Sequence, residues 1–305
     1  MSIKQFFKLF GLILVLSLFV GCNSNQNPVS FEDSVSRVTY TTEEKSDAND
    51  LPAKETGSQT KTESTIIITN EEEKPVSNIN KSDNGDDKME NSKGYGNILL
   101  LGDSYTAYEG LVPQGYEISY PSEAHNITTA KDMWWTQILQ QTDTTLALNS
   151  SFSGTTFCNI GYNGDDVTHK SFITRLDNLI DEGFFSDNQI DTLFIFGGTN
   201  DSWANSPIGT PIYSDFNKKQ LDNSLPAFSY LLNKAKNNTN VKRICVIINS
   251  ELKPEITEGM VEISEHYGVE YLRLTNISKL NGHPDKVGMA QIADQVTQKF
   301  QPTNQ

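Results

Sequence analysis

Four short segments carry residue types that could attack an acyl group: Gly102-Asp103-Ser104, Asn149 through Gly154, Gly198-Thr199-Asn200-Asp201 and Gly282-His283-Pro284. A serine at a sharp strand-to-helix turn presents its Oγ beside helix-terminal N–H groups. That is what a nucleophile needs to reach an acyl carbon and hold the oxyanion that forms. A histidine can take up the serine proton. Gly154 has no Cβ to keep a backbone N–H away from the developing charge, and the Asn200 side-chain amide supplies a further donor.

These groups work together only if the fold brings them to one place. From Tyr95 onward, short apolar, β-branched runs alternate with longer amphipathic ones. The pattern predicts strands at 97–101, 145–149, 192–197, 243–249 and 269–274. It predicts helices at 131–141, 171–182, 215–236, 254–267 and 284–300. Runs such as Leu193-Phe194-Ile195-Phe196 and Ile244-Cys245-Val246-Ile247-Ile248 are apolar at every position. They imply strands buried on both faces, as in a parallel sheet covered by helices. Ligands bind such sheets at the carboxyl ends of the strands, where the four segments fall.

The ordered set Ser104, Gly154, Asn200 and His283 resembles the SGNH, or GDSL-type, hydrolase superfamily, whose four blocks supply Ser, Gly, Asn and His in that order. The resemblance extends from about Asn97 to Phe300. It implies a three-layer α/β/α sandwich of flavodoxin-like type, with a mostly parallel sheet of about five strands. It further implies that Ser104 is the nucleophile and a backbone oxyanion donor, that Gly154 and Asn200 complete the oxyanion hole, and that His283 is the general base, with no metal or cofactor. The family usually has an Asp three residues before the histidine, and here that position is Leu280. The acceptor for the imidazole proton is then Asn281, a main-chain carbonyl of the 278–280 segment, or a carboxylate from elsewhere.

Around these blocks, Tyr105, Glu109 and Trp203 are candidate substrate contacts, the aromatic faces for sugar rings and the carboxylate for hydroxyls. Asp103 is read as support for its turn and Asp201 as a pin for the loop that presents Asn200. Trp134 and Trp135 are read as core. Cys245 falls inside a buried strand, whereas Cys158, in the loop after Gly154, is expected to be exposed enough for a reactive thiol. Asp165, Asp166 and His169 are read as a polar loop and not as a metal site, and no role falls to His125 or His266.

The 305 residues carry a net charge of -15, which argues against nucleic acid as a partner. Three cysteines are too few for a disulfide scaffold and lack zinc-site spacing. Lys4 and Lys8 precede an apolar run, Leu9 to Val20, too short to span a bilayer and laid out as a signal peptide. Leu18-Phe19-Val20-Gly21-Cys22 resembles a bacterial lipobox, with Phe19 where Leu is usual. That resemblance implies residues 1–21 as signal peptide and lipidation of Cys22.

Residues 23–94 are rich in Ser, Thr, Asn and acidic side chains, and read as a polar tether to a domain at 95–305. The expected protein is an exported lipoprotein of the cell or outer membrane, facing the periplasm or the cell surface. It would remove short acyl groups, acetyl above all, from a glycan. The alternatives are a lipase or lysophospholipase, or a glycan-binding protein on a retired hydrolase scaffold.

Overall fold

The computed structural model describes residues 93–304, so Cys22, the signal segment and most of the tether lie outside the described residues. Five strands form the central sheet: β1 (Gly96–Gly102), β2 (Thr144–Ser151), β3 (Thr192–Gly197), β4 (Arg243–Ile248) and β5 (Glu270–Arg273). Their order is β2-β1-β3-β4-β5 and every neighbouring pair is parallel. This is the flavodoxin-like order, in which the strand order reverses beside β1 and ligands collect at the carboxyl edge.

The alternation of side chains along each strand separates two apolar layers. Leu99, Leu101, Leu193, Ile195, Ile244, Val246 and Ile248 face α2 (Phe172–Asp181), α5 (Ser224–Asn237) and α6 (Pro254–Tyr267). On the other face, Ile98, Leu100, Phe194, Phe196, Cys245 and Ile247 meet α1 (Trp134–Gln141) and α7 (Lys286–Phe300). The sheet is thus the middle of three layers, and its inner strands β3 and β4 are almost wholly apolar because neither of their faces meets water. Two short helices, α3 (Phe184–Asp187) and α4 (Thr199–Trp203), complete the set.

The expected strands and helices occur within a few residues of their predicted bounds, with one clear correction. The helix expected at 215–236 begins at Ser224, and Asp215 has φ +54. Pro226 explains the late start. Its ring would strike the carbonyl four residues earlier and it has no N–H to donate, so a helix can hold it only in the first turn. The expected exposure of Cys158 is also overturned: the residue is buried in the layer with α2 and α5, and burial pushes its thiol up to about 12, so it is no thiolate near neutral pH. Cys245, Trp134 and Trp135 are buried.

Candidate active site

Ser104 follows β1 and is 2% exposed. Its turn is braced on several sides. The Thr106 and Ala107 N–H groups both donate to the Asp103 carbonyl at 3.1 Å, and the Tyr105 N–H donates to Asp103 Oδ1 at 3.1 Å. From α1, Trp135 Nε1 donates to the Thr106 carbonyl (3.2 Å) and Trp134 Nε1 to Thr106 Oγ1 (3.3 Å), while Asn149 Nδ2 at the end of β2 donates to the same Thr106 carbonyl (3.1 Å). Burial pushes the Asp103 carboxyl up to about 7, against the pull of the Tyr105 N–H.

A buried arginine ties the neighbouring strand ends together. Arg175, from α2, donates through its guanidinium to the Ser150 carbonyl, and through Nη2 to the Gly102 carbonyl and Thr155 Oγ1, both at 3.1 Å. It thereby fixes the ends of β1 and β2 and the loop that carries Gly154. Burial lowers its guanidinium to about 10, still high enough to remain charged.

Gly154 has φ +75, and a Cβ there would meet nothing within 4 Å. Its glycine therefore answers to the left-handed backbone rather than to a crowded neighbour. Neither the Ser104 nor the Gly154 main-chain N–H makes a hydrogen bond among the described residues. Asn200, 2% exposed at the start of α4, donates one Nδ2 proton to the Thr155 carbonyl (3.0 Å) and accepts at Oδ1 from the Tyr162 hydroxyl (2.9 Å). The amide cannot rotate, and its second Nδ2 proton remains for a ligand. Asp201 accepts the Phe157 N–H at 2.9 Å and so pins the loop beside Asn200.

His283 Nε2 lies 3.0 Å from Ser104 Oγ. The histidine stands on a small hairpin in which Lys279–Leu280 pairs antiparallel with His283–Pro284. The two linking residues, Asn281 (φ 50) and Gly282 (φ 81), are both left-handed, the requirement of a type I′ turn that Asn-Gly meets most readily. The main chain of Asn281 favours the charged form of the His283 ring, which makes its carbonyl the candidate for the place of the family's Asp. Burial, the larger effect, lowers His283 below the usual histidine range, with the charges of His125 and Lys279 acting in the same sense.

The structure brings Ser104, Gly154, Asn200 and His283 to one edge. Of the candidate substrate contacts, Trp203 is 39% exposed with its ring centroid 5.6 Å from that of His283. Glu109 is exposed on the loop after the serine. Tyr105 is fully buried, and its hydroxyl donates to the Gly282 carbonyl, so it braces the histidine and offers no face to a ligand. Sequence reasoning missed Arg175, Tyr162, Tyr120, His125 and Lys279. The Asn281-Gly282 dipeptide was the one available signal, for the hairpin itself. His169 lies in a turn at 168–170, and among the described residues no cluster of three His, Cys, Asp or Glu side chains could hold a metal ion. A cleft of about 700 Å³, lined by Tyr95, Asp191 and Arg243 among others, opens at the amino ends of the strands, away from Ser104.

Comparison with known proteins agrees with this fold. A search of curated proteins finds no match. The family model for GDSL-like lipase/acylhydrolase matches residues 96–300. A GDSL-like lipase from Bacteroides ovatus is 38% identical in sequence and superimposes with a TM-score of 0.62, covering 67% of this chain and 97% of the other. A second GDSL-like lipase, from Bacteroides uniformis, is also 38% identical, with a TM-score of 0.61 over 66% of this chain and 94% of its own. With the family match spanning the whole sheet and all four site segments, the chain belongs to the GDSL-like lipase/acylhydrolase family.

Proposed function

We propose that this protein is a membrane-tethered, extracytoplasmic serine esterase that removes short acyl groups, acetyl foremost, from a glycan. The observation that carries the reading is the 3.0 Å contact of Ser104 Oγ with His283 Nε2, beside the left-handed Gly154 and the immobilised Asn200 amide. Ser104 Oγ attacks the acyl carbon as His283 Nε2 takes its proton. The oxyanion is held by the N–H groups of Ser104 and Gly154 and by Asn200 Nδ2, donors fixed before the substrate arrives. His283 then returns the proton to the leaving alcohol. In the second half it deprotonates the water that releases the acyl group from Ser104.

Two features support a small acyl group on a hydrophilic carrier. The nucleophile is only 2% exposed, which favours a compact acyl group. The exported leader and the long polar segment at 23–94 favour a substrate outside the cytoplasm. Cys22, as the lipidated residue, would place the domain at 95–305 at a membrane surface. The lowered proton affinity of His283 keeps it a free base under mildly acid conditions, so activity should persist as pH falls below the usual histidine value.

Exposed Leu111, Ile118, Trp203 and Leu280 lie on segments that follow the serine, Asn200 and histidine blocks or carry them, and favour a second reading, a lipase acting on longer chains. Hydrolysis of p-nitrophenyl acetate, butyrate and palmitate separates the two. The first reading predicts rates falling with chain length and acetate release from acetylated polysaccharides, and a preference for palmitate would replace it with the second. A Cys22→Ser protein that still needs detergent for extraction would end the lipoprotein assignment.

A further inference from the structure

A main-chain acceptor for the catalytic imidazole is only as well placed as its peptide plane. In the histidine hairpin, three side chains grip alternate carbonyls. His125 Nε2 lies 2.9 Å from the Leu280 carbonyl, the Tyr105 hydroxyl donates to Gly282, and the Tyr120 hydroxyl donates to Pro284 at 2.7 Å. With those three carbonyls engaged, the Asn281 carbonyl is the one left to His283. Since a carbonyl only accepts, Nε2 of His125 carries a proton, and Ser122 Oγ, 2.7 Å from Nδ1, completes its fixation.

His125 differs from its two partners. Tyr105 and Tyr120 are buried phenols that burial holds un-ionised, so they stay donors at any working pH. A histidine can carry a charge where a phenol held un-ionised cannot, and the His125 ring centroid is 6.1 Å from that of His283, at 72°. Protonating His125 leaves its bond to Leu280 intact, because Ser122 Oγ can accept as well as donate. What changes is the charge beside the catalytic base.

We propose that His125 is a positioning residue for the catalytic base, holding the Leu280 carbonyl of the histidine hairpin and setting the charge beside His283. The other charged or titratable groups around the pair are already engaged or set apart. Lys279 Nζ is bound by Asn249, Ser250 and Glu251, and Asp285 accepts from Ser278 Oγ and the Gly288 N–H. Asp103 lies buried beneath the serine turn, and Glu123 is exposed on the turn that carries His125. The proposal rests on the serine esterase reading for its kinetic consequences and on geometry alone for its effect on His283.

The test is a ¹⁵N-histidine NMR titration of the full-length protein beside kinetics on p-nitrophenyl acetate. His125→Gln keeps an N–H for Leu280 but never carries charge, so His283 should hold its proton to higher pH, by roughly half a pH unit or more for a unit charge about 6 Å away. Its kcat should stay within about three-fold of the native value, whereas His125→Phe, which loses the donor, should lower kcat about ten-fold with KM unchanged. A native protein without turnover, in which His125→Gln still shifts His283, would refute the esterase reading and support the coupling. Native titration of His283 in both variants, with native kcat in His125→Phe, would overturn the proposal.

Discussion

Ser104 and Asn200 stand on turns that leave the central sheet directly, whereas His283 stands on a two-residue hairpin outside it. The serine side inherits its geometry from β1, β2 and β3, whose ends are locked by parallel pairing, by Arg175 and by the tryptophans of α1. The histidine side has no such frame. It is held by side chains that reach across to it: Tyr105, Tyr120 and His125 on alternate carbonyls, and Lys279 on the loop after β4. Where the family ordinarily uses one carboxylate to orient the base, the proposed mechanism gives that role to a backbone acceptor held by many modest bonds around it. The difference teaches that an orienting group can be spread over a hairpin, and that losing any one part of it should then cost little.

That contrast orders the expected effects. His283→Ala should lower kcat on p-nitrophenyl acetate to background, about 10³-fold or more, because base and nucleophile act as one unit. Residual turnover near the native rate would show that another group deprotonates the serine. Asn200→Ala removes a fixed oxyanion donor and should cost on the order of 10²-fold to 10³-fold in kcat with little change in KM. A loss confined to KM would instead make Asn200 a ground-state contact.

On the histidine side, Asn281→Ala should cost less than about 100-fold, since the bond to the imidazole comes from the main chain. Asn281→Gly, which suits the left-handed φ of 50, should come closer to the native rate. A fall to background in Asn281→Gly, with the circular dichroism spectrum unchanged, would show that the side chain matters and that the orienting role is not spread out. Smaller still is Tyr162→Phe, which frees the Asn200 amide on one side and should lower kcat about three-fold to ten-fold.

Asp103 tests the serine side through stability rather than rate. The folded protein holds this proton up to about pH 7, while the unfolded chain releases it near pH 4, so ionised Asp103 costs stability as pH rises between those values. Asp103→Asn should therefore gain stability over the native protein at pH 8 relative to pH 5, by on the order of 2 kcal/mol in denaturant melts. An equal difference at both pH values would place the ionisation elsewhere.

The two sides also differed in how legible they were. The strand runs at 192–197 and 243–248 announced a sheet buried on both faces, and Ser104 and Asn200 could be placed because each follows such a run. Helix 254–267 was readable to the residue, with Pro254 at its first turn. The helix expected at 215–236 starts only at Ser224, because Pro226 is tolerated in the first turn alone. The histidine hairpin was missed although Asn281-Gly282 is a strong turn signal, since its strands are only two residues long and carry no periodicity. Arg175, Tyr120, Tyr162 and His125 were not legible, because each acts on a partner between 20 and 164 residues away, a relation that only the tertiary fold creates.

In the proposed reaction Ser104 Oγ is the atom that receives the acyl group. Mixing the protein with p-nitrophenyl acetate, quenching in acid during the first turnover and mapping the peptides by mass spectrometry tests this most directly. One acetyl group is expected on the peptide containing Ser104 and none in Ser104→Ala, which should also fall to background turnover. Native turnover in Ser104→Ala would contradict it outright.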